Sequence, residues 1–123
     1  MKPPGHTWGT PGPVWDSPTS FHAGFPAMVV DTQATVHALI RAGDASNPNR
    51  DYYTGKSIAG GWSAPINISN SSGDTFFMWS EGMAVDQGGR VHVLWHDNTG
   101  SKYELYYRER SPDGVWSTPT QLK

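Results

Sequence analysis

Apolar residues in this chain come in short runs, each bounded by Gly, Pro or polar residues. Two of the runs, residues 36–41 and 91–96, contain few polar positions, as is typical of strands that pack on both faces. A shorter run precedes each of them, at 27–31 and 82–86. Between 82–86 and 91–96 the pair Gly88-Gly89 is a hairpin signal of the two-residue type. The pattern therefore predicts two pairs of antiparallel strands.

Two further strands follow each pair. Residues 51–57 and 103–110 predict the third strands, and Trp62 and Trp116 each lead a fourth. Pro follows both Trp residues, which suits an outer edge strand where a missing N–H costs little. No segment predicts a helix, so we expect an all-β chain.

The two sets of strands are an internal repeat, residues 25–69 and 80–122. The offset is 55 residues early and 54 later, so one residue is lost in a loop. The matches are Asp31 with Asp86, His37 with His92, Tyr52-Tyr53 with Tyr106-Tyr107, and Trp62-Ser63-Ala64-Pro65 with Trp116-Ser117-Thr118-Pro119. A period of about 40–55 residues holding four short strands is typical of a β-propeller blade.

We therefore divide the chain into an N-terminal segment (1–24) and two blades (25–69 and 70–123). The N-terminal segment contains two echoes of the fourth strand, led by Trp8 and Trp15, and the sequence leaves open which of them forms an exchanged outer strand. Two blades cannot close a ring that needs about 4–8. The chain is thus expected to be a propeller fragment whose ring is completed by homo-oligomerisation.

Residues 86–89 read Asp-x-Gly-Gly and lead into VHVLWHD, and YELYYRERSPDGVWSTPTQL follows at 103–122. Within it, residues 111–116 are similar to a shortened Asp box, the turn motif Ser-x-Asp-x-Gly-x-Thr-Trp. These repeats resemble the bacterial sialidase-type β-propellers. That resemblance implies six blades, and hence a trimer of two-blade chains, with a dimer or tetramer as the alternatives. It implies a fold and not an activity.

Composition narrows the function classes. The 123 residues carry a net charge of −2 without a basic run, so we expect neither non-specific nucleic-acid binding nor a membrane surface. Six Trp and five Tyr suit packed sheets, and the absence of Cys excludes a disulfide framework and Cys-based metal sites.

Residues shared by both repeats are most simply scaffold. Asp31 and His37, like Asp86 and His92, are expected to cap a turn and to form a satisfied buried imidazole. A metal or acid–base set is the alternative for them. Trp62 and Trp116 are likewise expected to pack, with sugar stacking as the alternative.

Residues that break the repeat are the candidate site. The second repeat has Ser80-Glu81 where the first has Phe25-Pro26, and His96-Asp97 where the first has Arg41-Ala42. With a two-residue turn at Gly88-Gly89, Glu81 lies opposite His96 at about 5 Å between Cβ atoms. The same rim is expected to hold Asp97, Trp79 and His22, the last taken as the equivalent of Phe77.

Carboxylate and imidazole groups at close range bind a divalent metal ion or act as an acid–base pair. We therefore expect a metal-assisted hydrolase of esters or phosphoesters at the mouth of the ring. Its residues are Glu81 and His96 as catalytic groups and ligands, His22 and Asp97 as further ligands, and Trp79, Trp95 and Arg41 for substrate binding.

Three alternatives stay open. Glu81 and His96 form only a salt bridge at the rim, or the chain is a fragment that merely folds. In the third, the protein is a glycan-binding module in which Trp79, Trp95, Trp8 or Trp15 stacks on sugar rings.

Overall fold

The computed structural model describes residues 10–15, 22–44, 46, 50–69, 74–77, 82–98 and 102–122. These residues contain strands and turns and no helix, as the sequence predicts. The strands are β1 (His22–Val30), β2 (Val36–Gly43), β3 (Arg50–Lys56), β4 (Ile66–Asn67), β5 (Asp74–Phe77), β6 (Met83–Val85), β7 (Val91–Asn98), β8 (Tyr103–Arg110) and β9 (Thr120–Gln121).

Each repeat forms its own antiparallel sheet. The first has the order β1-β2-β3-β4, and the second has the order β5-β7-β8-β9 with β6 also paired to β7. The all-β class and the two four-stranded units are thereby confirmed. In the first sheet every strand lies beside its neighbour in the chain, whereas in the second sheet β5 and β6 both pair with β7.

The turn between β6 and β7 is longer than predicted. The N–H of Asp86 donates to the carbonyl of Arg90 (3.0 Å), and that of Gly89 donates to the carbonyl of Asp86 (3.0 Å). Gly89 has φ +87°, so a tight turn is followed by a left-handed bulge residue. Val85 consequently pairs with Val91 rather than with His92.

This one-residue shift overturns the predicted pairing of Glu81 with His96. Residue His96 pairs with Phe76 of β5 on one side and with Leu105 of β8 on the other. Glu81 itself lies outside the described residues.

The pairing is interrupted at the same place in both sheets, within β1 of the first and between β5 and β6 of the second. In β1 the register shifts between Gly24 and Ala27, where Pro26 has no N–H to give to the ladder. In the second sheet Phe77 pairs with Trp95 and Met83 with Val93, so the chain has four extra residues at this place. Asp74, rather than Phe77, therefore occupies the strand position equivalent to that of His22, since it pairs with Asn98 as His22 pairs with Gly43.

The two sheets pack on each other through an apolar core. The first sheet contributes Leu39, Tyr53 and Ile68, and the second contributes Met83, Val91, Val93 and Trp95. Arg108 joins the two sheets, because its Nη1 donates to the carbonyl of Ile68 (2.7 Å). The sheets thus form a single packed unit, and the space left at one end of their interface becomes the candidate site.

Candidate functional site

A hydrogen-bonded row of three side chains lies at the turn end of the first sheet. Tyr53 Oη lies 2.8 Å from His37 Nδ1, and His37 Nε2 lies 2.9 Å from Asp31 Oδ2. The strands place them there, because His37 pairs with Gly55, two residues beyond Tyr53 on the same face of β3. His37 is 1 % exposed and Tyr53 is 3 % exposed, so these two members of the row are buried, whereas the Asp31 side chain is 10 % exposed.

Asp31 holds the turn as well as the imidazole. Its Oδ1 accepts the N–H groups of Gln33 (2.8 Å) and Thr35 (3.0 Å). Burial raises the pKa of the Asp31 carboxyl, but the hydrogen bonds from His37, Thr35 and Gln33 lower it by more, so the pKa lies below its usual value. The predicted role of Asp31 and His37 as turn cap and satisfied imidazole is confirmed.

These contacts fix which group donates. The Asp31 carboxylate only accepts, so His37 Nε2 donates to it; in the neutral imidazole His37 Nδ1 accepts the Tyr53 O–H. Burial raises the pKa of the Tyr53 phenol and keeps that proton in place. A neutral imidazole satisfies every bond in the row.

The second sheet repeats the row and adds a carboxylate. His92 lies 3.1 Å from Asp86 Oδ2 and 2.6 Å from Tyr107 Oη. Tyr107 Oη also donates to Glu109 Oε2 (2.7 Å), and Arg90 Nη1 donates to Glu109 Oε1 (3.0 Å). The single proton of the Tyr107 phenol goes to Glu109, so the contact between His92 Nδ1 and Tyr107 Oη is a hydrogen bond only when Nδ1 also carries a proton. The first sheet has Gly55 at the position of Glu109.

A cleft of about 470 Å³ lies between the two sheets beside the first row; we call it the inter-sheet cleft. The first sheet lines it with Asp31, Ser57 and Ser63, among others, and the second sheet with Arg110 and Trp116. It thus offers a carboxylate, two hydroxyls, a guanidinium and an indole to one small volume.

Cation–π and edge-on ring contacts fix the arginine and aromatic side chains at the inter-sheet cleft. The Arg110 guanidinium lies 5.3 Å from the centre of the Tyr53 ring, and Trp116 meets the same ring edge-on at 5.1 Å. Arg108 lies over the other ring system, 5.5 Å from the centre of Trp116. Within the described part of the chain the buried Trp116 Nε1 has no acceptor and Arg110 has no ion-pair partner. The Arg110 guanidinium is therefore available to a ligand, whereas the enclosed Trp116 N–H can meet one only if the cleft opens locally.

The described members of the predicted metal site, His22, His96 and Asp97, lie at the opposite end of the sheets. His22 pairs with Gly43, close to Arg41, and Asp97 pairs with Glu104 next to His96. His96 and Asp97 are successive residues of β7 and point to opposite faces, which separates the two expected ligands.

The other expected site residues are not brought together. Glu81 and Trp79 lie outside the described residues, and only the backbone of His22 is described. Among the described residues no group of three or more His, Asp or Glu side chains is placed to hold a metal ion. The metal site therefore stays a prediction.

The interpretation of Trp95 as a substrate-binding residue is corrected. Trp95 is 0 % exposed and stacks on Tyr106 (5.8 Å between ring centres, 15° between planes) inside the core. Trp95 alternates with Val91 and Val93 along β7, and residues two apart share one face of a strand. The sequence therefore already indicated that Trp95 lies on the apolar face. Trp15, the other described candidate, contacts Tyr52 of its own chain (4.8 Å) in a segment, residues 10–15, that contains no strand; Trp8 lies outside the described residues.

Sequence reasoning missed Tyr53, Arg110 and Glu109. Tyr53 recurs as Tyr107, which marked it as scaffold but not as the partner of the imidazole. Glu109 replaces Gly55 in the repeat alignment, so the test for repeat-breaking residues would have found it.

The described residues contain no helix of the length and apolarity needed to cross a bilayer. No family model, no curated protein and no solved structure matches this chain.

Proposed function

We propose that this chain is a two-blade propeller unit that completes its ring with copies of itself, and that the inter-sheet cleft binds a saccharide. The observation that carries the binding proposal is the lining of the cleft: aromatic rings beside a guanidinium, a carboxylate and hydroxyls. A volume of about 470 Å³ is within the range of small-molecule sites.

The lining suits a sugar for two reasons. Hydroxyl groups both donate and accept, and here they would meet donors on Arg110 and Trp116 and acceptors on Asp31 and Ser63. The Trp116 indole supplies the apolar surface that a pyranose ring needs on one side. A sugar that bears a carboxylate would also pair with Arg110.

The ring is supported by an uncovered apolar surface. Met28 (65 % exposed) and Val30 (52 % exposed) are the repeat equivalents of Met83, which is 7 % exposed, and of Val85, which packs against the core. The first sheet thus leaves open the surface that the second sheet buries. Exposed apolar surface of this kind is typical of an interface.

A saccharide titration followed by calorimetry or NMR tests the binding proposal. Neutral and carboxylate-bearing monosaccharides and disaccharides are the probes. Trp116→Phe keeps the aromatic packing and removes the Nε1 donor, so we expect at least a five-fold loss of affinity, equivalent to about 1 kcal/mol for one hydrogen bond.

The matched control is Trp62→Phe, the same change at the repeat-equivalent position, which does not line the cleft. It should leave affinity unchanged. The proposal is wrong if no saccharide binds the unmodified protein, or if Trp116→Phe binds as tightly as the control.

Metal-assisted hydrolysis, which the sequence predicts, is the second candidate function, and an activity assay on the same protein tests it. Ester and phosphoester turnover is measured with and without a chelator, for the unmodified chain and for Glu81→Ala and His96→Ala. Full activity of both variants, or of the chelated protein, would contradict that prediction.

A further inference from the structure

Each sheet has two unlike faces, and the interface inside the chain shows how one face meets the other. At this interface the face of the first sheet that carries His37, Leu39 and Tyr53 packs on the face of the second sheet that carries Val91 and Val93. Because the sheets are repeats, each also carries the other kind of face. Trp15 covers part of the first of these faces at Tyr52, whereas Met28 and Val30 on it are exposed, and His92 and Glu109 on the second are each about one third exposed.

The uncovered face of the first sheet is the one with Met28, Val30, Val36 and Lys56; we call it the leading face. Lys56 belongs to it because it pairs with Val36 across the sheet. Among the described residues the half-buried Lys56 has no ion-pair partner. In the repeat alignment Lys56 is the equivalent of Arg110, and the exposed Ile58 is the equivalent of Pro112. Arg110 and Pro112 both line the inter-sheet cleft.

The uncovered face of the second sheet is the one with His92, Tyr107 and Glu109; we call it the trailing face. His92 and Glu109 are each about one third exposed, whereas His37 at the equivalent place is sealed. Asp86 and Glu109 bring two carboxylates to this face, and Arg90 and His92 are the basic groups facing them. Arg90 already pairs with Glu109, so a cation from a second copy would share that carboxylate with it.

Two copies can be placed so that the first sheet of one packs on the second sheet of the other, in the same geometry as the interface within a chain. This arrangement brings the two uncovered faces together. In that arrangement Lys56 of one copy takes the place of Arg110 and lies over the ring of Tyr107 in the next copy. Tyr107 Oη is 2.7 Å from Glu109 Oε2, so the ammonium group arrives beside that carboxylate. Opposite charges therefore meet across the proposed junction.

Gly55 and Glu109 make the two kinds of junction different. A Cβ at Gly55 would lie 2.7 Å from Tyr53 Oη, so the row inside the chain leaves no room for a side chain there. In the second sheet the same strand position carries Glu109, whose carboxylate points to the phenol. The cleft within a chain is thus left open, and the corresponding space between chains holds a carboxylate.

We propose that the leading face docks on the trailing face of a second copy, and that Lys56 of one copy and Glu109 of the next close this second cleft with an ion pair over Tyr107. The inference rests on the self-assembly proposed above. It adds the contact that joins the copies and assigns ligand binding to the clefts within chains and not to those between them.

Charge reversal tests the pair. Light scattering and native mass spectrometry are recorded for Lys56→Glu, Glu109→Lys and the double variant, with circular dichroism to check folding. Each single variant should dissociate at least ten-fold more readily than the unmodified chain, and the double variant should recover the assembly. Lys102→Glu is the control, because it makes the same charge change at an exposed lysine that pairs with Glu104 at the other end of the sheet.

A milder pair of variants guards against misfolding. Lys56→Gln and Glu109→Gln remove one charge each, and Glu109→Gln keeps an acceptor for Tyr107. Each should weaken association, and the double Gln variant should lose little more than either alone.

The outcomes separate the two proposals. A monomeric unmodified protein overturns the assembly and this inference with it. An oligomer that survives both charge reversals, or singles that dissociate without recovery in the double variant, overturns the Lys56–Glu109 contact and leaves the assembly standing.

Discussion

Ala34 holds a backbone conformation that is costly for any residue with a side chain. Its φ is +61°, whereas the second sheet has a glycine, Gly89, at the equivalent place. A left-handed residue other than Gly costs about 1–2 kcal/mol, partly offset by the extra freedom of Gly in the unfolded chain. We expect Ala34→Gly to raise the free energy of unfolding by about 0.5–1 kcal/mol in urea titration.

The reverse change at Gly89 is the control. A Cβ there would lie 3.6 Å from Pro112, an ordinary contact, so Gly89→Ala tests φ alone. It should destabilise by a similar amount. Equal stability of both variants and the unmodified chain would show that the turn relaxes to another conformation.

Asp31 makes the first sheet sensitive to acid. Its pKa is lower in the folded chain, so the folded state binds fewer protons than the unfolded state near the carboxyl's usual value of about 3.9. Its contribution is present above that value and disappears as pH falls through the lowered pKa. Stability measured by urea unfolding should therefore drop below about pH 4, and Asp31→Asn should flatten the drop while lowering stability at neutral pH.

The residue scale also shows where sequence reasoning stopped. The cap at Asp31 followed from a polar residue before a turn, and it is confirmed. The pairing of Glu81 with His96 failed because Gly88-Gly89 suits two turns that differ by one residue, and a one-residue shift moves every partner. Only the hydrogen bond from Asp86 to Arg90 distinguishes them.

Among the elements, β8 holds the two sheets together through Arg108. Its Nη1 and Nε donate to the carbonyls of Ile68 (2.7 Å) and Ser117 (2.5 Å), and burial lowers the pKa of the guanidinium. Arg108→Gln cannot reach both carbonyls, so we expect a loss of about 2–3 kcal/mol in urea unfolding. Lys102→Gln, which changes a lysine that is 66 % exposed, should cost less than about 1 kcal/mol. Similar losses in the two variants would contradict a bridging role.

The strands with an apolar run were predictable, and the weakly apolar ones were not. β8 has the predicted bounds, and β2 extends the prediction by two residues. The Trp-led fourth strands contract to β4 and β9, two residues each, with Trp62 and Trp116 in single bridges. β5 was missed because Ser, Gly and Asp before Phe76 favour a loop, and its pairing with β7 depends on a bulge that no local pattern reveals.

At the scale of the whole molecule, the number of copies can be read from mixing two variants. Lys56→Glu and Glu109→Lys each place like charges at every proposed junction, but alternating the two chains corrects all of them. Alternation around a ring requires an even number of copies. For the proposed trimer the equimolar mixture should not regain the mass of the intact ring in native mass spectrometry, whereas the double variant should. Full recovery by mixing would indicate a dimer or tetramer.

The shared position of the turns has a consequence for how such a ring meets its target. Asp31, Ser57 and Pro112 place the inter-sheet cleft at the turn end of the sheets. Rotation about a ring axis keeps that end on one side in every copy. All clefts would then face a glycan-coated surface together, and weak sites engaged at once gain about 10²–10⁴ in avidity. If each cleft of the proposed ring binds its sugar weakly, the ring would still hold a polymer of that sugar firmly.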